Sequence, residues 1–259
     1  MSLSSPSRLI VRDAVPSDLG YTAVQHEELL PHGLFPHLGH TFVRRWHATF
    51  LDSPYGIALV AEQLQETGPV PVGFLIGSTD QVRLVQDVIA RHRFPLLVAG
   101  CRALLRRPRL AVHFVRTRAT PYLRRLTGIS TRPPARPDAA PGAPGPREDT
   151  APAPIAVITA VAVDATCRSG GAGRALVDRF VLRAALSGAE DARLTTLTGA
   201  GGAGGFYERM GWQFVEQHPT RDGLTVSTYR LTPTTQGTTR WTAYPVPGQP
   251  ARGASRGDR

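Results

Sequence analysis

Between Val161 and Leu176 the chain reads VAVDATCRSGGAGRAL. An apolar run ends, a turn follows over Arg168–Gly173, and a helix-forming stretch begins. Three glycines in that turn let the backbone come close to a ligand and aim several N–H groups at one point. The positive end of the following helix dipole adds to the attraction for an anion, and a pyrophosphate suits such a turn. Arg168 and Arg174 flank it and can add charge-assisted hydrogen bonds. Three phosphate-binding patterns compete. A Walker loop needs a lysine, and the chain contains none. The dinucleotide pattern G-x-G-x-x-G needs a third glycine where Gly171-Ala172-Gly173-Arg174-Ala175-Leu176 ends in leucine, and more parallel βα units than this chain shows. The pattern R-x-x-G-x-G is met by Arg168, Gly171 and Gly173; against it stands a turn whose glycines serve geometry alone.

A second unit lies downstream, where Phe206–Phe214 reads FYERMGWQF, its phenylalanine 35 residues after Gly171. Together the two units resemble those of the GNAT superfamily of acyl-CoA-dependent N-acyltransferases. The resemblance implies an α/β fold with a mixed, largely antiparallel central sheet of about seven strands, flanked by helices. It implies acetyl-CoA as co-substrate, no metal, and direct attack of a small-molecule primary amine (an amino sugar among the candidates) on the thioester. Backbone groups of Val161 and Val163 would pair with the pantetheine arm. The N–H groups of Arg168, Ser169, Gly170, Gly171, Ala172, Gly173 and Arg174 would cradle the pyrophosphate, with Ala203 also on the cofactor side. Tyr207 would lie near the sulfur and protonate the departing thiolate; the competing reading is a ring that only packs one face of a short helix.

The chain departs from the family pattern in two places. Relatives often carry an asparagine six residues before the phenylalanine of the second unit; here that position is Ala200. The surrounding Gly199–Gly205 holds five glycines, poor helix material at about 1 kcal/mol each relative to alanine. Ile155–Val163 carries no carboxylate to act as base, the nearest being Asp164, Glu148 and Asp149. Deprotonation then falls to another group, to ordered water, or is not needed because the amine binds neutral. His26, His32, His37, His40 and His47 crowd the N-terminal helix–loop–helix at spacings that match no common zinc pattern. Because this region walls the acceptor pocket in similar proteins, the resemblance implies that His32, with Glu27 and Glu28, could meet the acceptor, against the plainer readings of packing histidines and a solvated helix face. These departures also allow a catalytically silent GNAT-fold protein that binds CoA or a partner. Cys167 reads as a small filler and Cys101 as buried.

The elements that must position these residues follow from pattern. Arg8–Arg12 reads as a strand, and a helix capped by Ser17 or Asp18 runs to about Leu30. Pro31–Gly39 is a loop, and His40–Leu51 an amphipathic helix with Phe42, Trp46 and Phe50 at four-residue spacing. Ile57–Glu62 and Val70–Gly77 form a hairpin through the turn around Gly68. The almost continuous apolar run Ile155–Val163 fits a central strand buried on both faces. A helix from about Gly173 to Leu186, a strand at Ala192–Leu197, a short helix at Phe206–Met210 and strands at Gln213–Glu216 and Leu224–Leu231 complete one domain over 1–232. Residues 83–130 form a basic helical insertion, broken near Pro95 and Pro108; 131–154, with eight prolines, reads as a disordered loop, and 233–259 as a flexible tail.

Composition sets the outer bounds. In 259 residues there are 30 basic side chains, all arginine, against 20 acidic, for a net charge of +10. The absence of lysine removes every mechanism that needs a side-chain amine, Schiff bases included. Residues 83–132 hold twelve arginines and one acid, so the excess is local and the catalytic core nearly neutral. For that insertion four readings stand: a flap with a solvated arginine face, an electrostatic funnel for an anionic substrate, adhesion of 94–125 to an anionic membrane surface, and nucleic-acid binding. The last is disfavoured because interleaved aromatics and base-reading motifs are missing. Leu30-Pro31-His32-Gly33, together with an arginine-rich insertion, resembles GNAT members that acetylate small amino-bearing molecules. No run approaches the roughly 20 apolar residues of a membrane span, residues 1–20 show no signal-peptide core, and two cysteines make no disulfide scaffold, so a cytoplasmic protein is expected.

Overall fold

The computed structural model of the chain describes residues 8–106, 153–199, 202–220 and 223–233. Among them seven strands make one sheet: β1 Leu9–Asp13, β2 Gly56–Gln65, β3 Gly68–Ser78, β4 Ile155–Val163, β5 Asp191–Leu197, β6 Gln213–Pro219 and β7 Thr225–Leu231. Their order is β1-β2-β3-β4-β5-β7-β6, and every neighbouring pair is antiparallel except β4 with β5. Parallel neighbours need a crossover, and the helix α5, Ala172–Leu186, is that crossover. The other helices are α1 Leu19–Leu29, α2 Leu34–His37, α3 His40–Asp52, α4 Gln81–Leu105 and α6 Gly204–Arg209.

Two cores lie on opposite faces of the sheet. On one face α5 sets Leu176, Val177, Phe180 and Ala184 against Ile57, Leu59, Leu75, Ala156 and Ile158. On the other, Phe50 and Trp46 of α3, Leu29 of α1 and Leu84 of α4 cover Phe74, Ile76, Ala160 and Ala162. Strand β4 feeds both. Ile76 pairs with Ala160 and Gly77 with Ile158, so Thr159 is an extra residue, a bulge. The bulge exchanges the faces: Ala156 and Ile158 join Val161 and Val163 on the α5 side, while Ala160 and Ala162 point to the other. The strand expected to be buried on both faces is so in part: Ala156, Ile158, Ala160 and Ala162 are buried, Ile155, Val157, Val161 and Val163 are half-buried, and Thr159 is exposed.

Three expectations from sequence need correction. Helix α4 runs unbroken through Pro95 to Leu105. A proline inside a helix costs about 3 kcal/mol, and here Leu96, Ala99, Ala103 and Leu104 offset it by packing on Leu34, Leu38 and Phe42. Arg45 also donates to the Pro95 carbonyl oxygen at 3.2 Å. Cys101 is exposed rather than buried, because it falls on the outer side of α4 while Ala99 and Ala103 turn inward. The loop 31–39 contains the one-turn helix α2, which buries Leu34 and Pro36. The readings of 107–130 as helices, of 131–152 as a loop and of 234–259 as a tail lie outside the described residues.

Candidate functional site

The site begins where β4 and β5 part. Their pairing extends only from Ile155 opposite Asp191 to Ile158 opposite Leu194, although β4 continues to Val163 and β5 to Leu197. On its other side β4 stays paired with β3 through Val163. The Asp164 N–H donates to the Val72 carbonyl at 2.8 Å, so that residue faces β3. Backbone groups alternate sides along an antiparallel strand; Val163 and Val161 therefore direct theirs away from β3, toward the gap. A central strand thus presents unpaired donors and acceptors there.

The chain leaving β4 builds the second part. Asp164 closes the turn by accepting from the Thr166 N–H at 2.9 Å and its hydroxyl at 2.7 Å. These bonds hold its carboxyl below the usual carboxylate range, so it shapes the turn and is a poor candidate for a base. Ser169 takes φ 74° and Gly171 φ 84°, the left-handed region that glycine tolerates. Gly171 caps α5 without a side chain, and the Ala175 N–H bonds the Gly171 carbonyl at 2.9 Å. The N–H groups of Ala172, Gly173 and Arg174, in the first turn, therefore have no acceptor inside the helix. Arg168, Ser169, Gly170, Gly171 and Arg174 are exposed around them, with the Arg174 Nε 3.5 Å from Asp178. This arrangement can hold a pyrophosphate.

The third part is α6. A methyl group placed on Gly173 would lie 3.6 Å from both the Phe206 ring and the Val163 side chain, so the start of α5, the end of β4 and α6 meet. The Ala203 N–H, at the start of α6, donates to the Thr196 hydroxyl at 3.1 Å. Tyr207 is buried, its ring 5.1 Å from Phe206, 5.9 Å from Trp212 and 6.2 Å from Tyr229. Burial pushes its hydroxyl up to about 12, so it keeps its proton at neutral pH and can donate it. The helix is pinned from β7, where the Tyr229 hydroxyl donates to Glu208 Oε1 at 3.0 Å. At Gly204 a side chain would come within 2.4 Å of that hydroxyl. At Gly202 a side chain would meet the Leu197 carbonyl oxygen at 1.7 Å, so two glycines of the 199–205 run are steric necessities, and the helix forms despite the composition.

On the opposite face, α1 and α3 enclose a polar chain. The Thr22 hydroxyl lies 3.0 Å from His47 Nδ1, and His47 Nε2 lies 3.1 Å from His26 Nδ1. Both rings pack on Phe74 and Trp46. Burial pushes His26 down to about 4, and burial, with the neighbouring His26, pushes His47 down to about 3. Both are neutral at physiological pH. Glu27 is half-buried and Glu28 and His32 are exposed, at the end of α1 and in the loop after it. Sequence reasoning missed two residues here, Tyr21 and Tyr229. The Tyr21 hydroxyl is buried without a partner, and burial, then the charge of Asp164, raise its pKa, which sets α1 beside the phosphate turn. Tyr229 and the unpartnered Trp212 indole N–H back Tyr207. No spacing signals the Tyr21 and Tyr229 contacts, because they join elements far apart in the chain. Among the described residues no three His, Cys, Asp or Glu are grouped to hold a metal ion.

No family model and no curated protein matches the sequence. Solved structures do. Arabidopsis thaliana NAA60, in complex with acetyl-CoA, is 12% identical over 87% of this chain and 98% of its own, with a TM-score of 0.50. SsHAT is 17% identical over 87% and 98%, also at 0.50. A GNAT-family acetyltransferase of Streptococcus pneumoniae is 14% identical over 88% and 100%, at 0.47. The protein has the fold of the GNAT acyltransferases: a mixed, mostly antiparallel seven-stranded sheet whose one parallel pair opens beside a helix N-terminus.

Proposed function

We propose that this protein is an acetyl-CoA-dependent N-acetyltransferase acting on the primary amine of a small molecule. The observation that carries this reading is the gap between β4 and β5 opening directly beside the unfilled first turn of α5. An extended amide-bearing arm joined to a pyrophosphate fits both: the arm can pair with Val161 and Val163, and the pyrophosphate can accept from Ala172, Gly173 and Arg174. When bound, acetyl-CoA supplies a thioester carbonyl and a thiolate leaving group. A backbone N–H on the open edge of β4 can polarise that carbonyl. Tyr207, protonated through the physiological range, can hand its proton to the departing sulfur. Crystallised acetyl-CoA on the Arabidopsis protein of like fold supports the choice of donor.

The acceptor amine would enter from the side walled by α1 and the loop at 30–33, where Glu27, Glu28 and His32 can receive its charge. Amino sugars are among the amines such a wall suits. Described β4 residues include no carboxylate, so the amine reaches the thioester already neutral or loses its proton to another group or to water. Calorimetric titration with acetyl-CoA, followed by thiol release over a panel of small amines, tests the reading. Micromolar binding and amine-dependent thiol release are expected; no binding up to about millimolar would falsify it. Binding without thiol release on any amine, unchanged in Tyr207→Phe, would instead support a silent CoA-binding protein.

A further inference from the structure

Helix α4 buries one side and leaves the other bare. Its inner side packs Leu84 and Val88 on the sheet, and Leu96, Ala99, Ala103 and Leu104 on α2 and α3. On the outer side Phe94, Val98, Cys101 and Leu105 recur at four, three and four residues, which sets them in one stripe, with Leu97 beside it. Phe94 is 64% exposed, Leu97 47%, Val98 54% and Leu105 83%. Exposed large apolar residues in a contiguous row mark an interaction surface. Arginines rim the row. Arg91, Arg102 and Arg106 lie along one side and Arg93 along the other, all exposed. Arg93 stacks its guanidinium over the Phe94 ring at 4.7 Å. The one acid in this helix, Asp87, is already bonded to Arg91.

Charge selects the occupant. A second copy laid face to face would set this rim against an identical cationic rim. The adjoining sequence 107–126 adds six arginines and no acid, so it too is a like-charged partner. An apolar stripe between cationic rims has the form of a helix that lies in the plane of an anionic bilayer, its side chains at the acyl boundary and its guanidinium groups on headgroup phosphates. We propose that the outer face of α4 docks on an anionic lipid surface. The contact is peripheral: no described helix is long and apolar enough to cross a membrane. It stands independently of the acetyltransferase reading.

The test uses the full chain and co-sedimentation with vesicles of phosphatidylcholine containing about one-third phosphatidylserine, against phosphatidylcholine alone. Binding is expected with the anionic vesicles only, weakened by salt. Leu97→Glu with Val98→Glu should abolish it, and Arg102→Gln with Arg106→Gln should weaken it roughly 30-fold. A polarity-sensitive fluorophore on Cys101, in a Cys167→Ser background, should report an apolar environment on vesicle addition. No pelleting, equal pelleting with neutral vesicles, or full binding by the Leu97→Glu/Val98→Glu variant would overturn the proposal; the last would assign adhesion to the basic sequence beyond Arg106. A Cys101 fluorophore that stays in water, or a lipid-free dimer broken by the same pair of substitutions, would overturn it as well.

Discussion

Tyr207 gains its meaning from its neighbours. The FYERMGWQF segment marks the residue and two of its neighbours, Phe206 and Trp212, in the sequence, but the third side of its cage, Tyr229 of β7, does not show in spacing. Removing only the hydroxyl leaves that cage intact. Tyr207→Phe should therefore lower kcat by about 100-fold with little change in the KM for acetyl-CoA or in the melting temperature; an unchanged kcat would make the tyrosine a packing residue. Gly204 offers a second test at this scale. A methyl group there collides with the Tyr229 hydroxyl, so Gly204→Ala should destabilise the fold by about 1–3 kcal/mol. In a Tyr229→Phe background the same substitution should cost less, because the colliding oxygen is gone; equal costs in both backgrounds would place the strain elsewhere.

Elements tell a different story, because their joint placement depends on pair lengths that no local pattern encodes. The turn after β4 was legible: glycines, flanking arginines and an apolar run before them all point to a strand, a tight turn and a helix start. That β4 and β5 share only four residue pairs was not legible, since both strands read as continuous. Nor was the bulge at Thr159, which redistributes one apolar run between two cores. Helix α4 shows the opposite error, a breaker overruled by packing on α2 and α3. At the start of α5, Gly171 holds φ 84°, a conformation that costs a side-chain-bearing residue about 1–2 kcal/mol. Gly171→Ala should lower the melting temperature and weaken acetyl-CoA binding together. Arg168→Gln should weaken binding about tenfold with an unchanged melting temperature, and the difference should shrink as salt rises.

Across the whole molecule, charge and burial are unevenly distributed. Residues 83–132, with twelve arginines and one acid, carry +11 and the rest of the chain −1, and α4 carries part of that excess beside an apolar stripe. Deep between α1, α3 and β3, the pair His26–His47 sets a pH limit on stability. Both imidazoles are held below their ordinary value, at about 4 and about 3, so the unfolded chain takes up protons that the folded chain refuses. Stability is complete above about pH 6.5 and falls as pH drops toward 4, by roughly 1.4 kcal/mol per unit for each imidazole. Denaturant melts at pH 7, 6, 5 and 4 should show this slope, and His26→Phe should flatten it. A midpoint constant across that range would refute the assignment. The clustering of histidines was visible in sequence, but which two would be buried against one another depended on how α1 and α3 cross.

The parted strands have a consequence for how this sheet meets other chains. Unpaired strand edges usually lie at a sheet's margin, where they invite another chain to pair and aggregate. Here the exposed edge of β4 lies inside the sheet, with β5 across the opening. A folded neighbour is too thick to enter, whereas a single extended arm can complete the missing ladder. Amide hydrogen exchange makes this measurable. The N–H groups of Val161 and Val163 should exchange quickly in the free protein, as edge amides do, while Ala162 and Asp164 stay protected by β3. Saturating acetyl-CoA should slow Val161 and Val163 selectively, turning an interior edge into a paired strand without any change of fold.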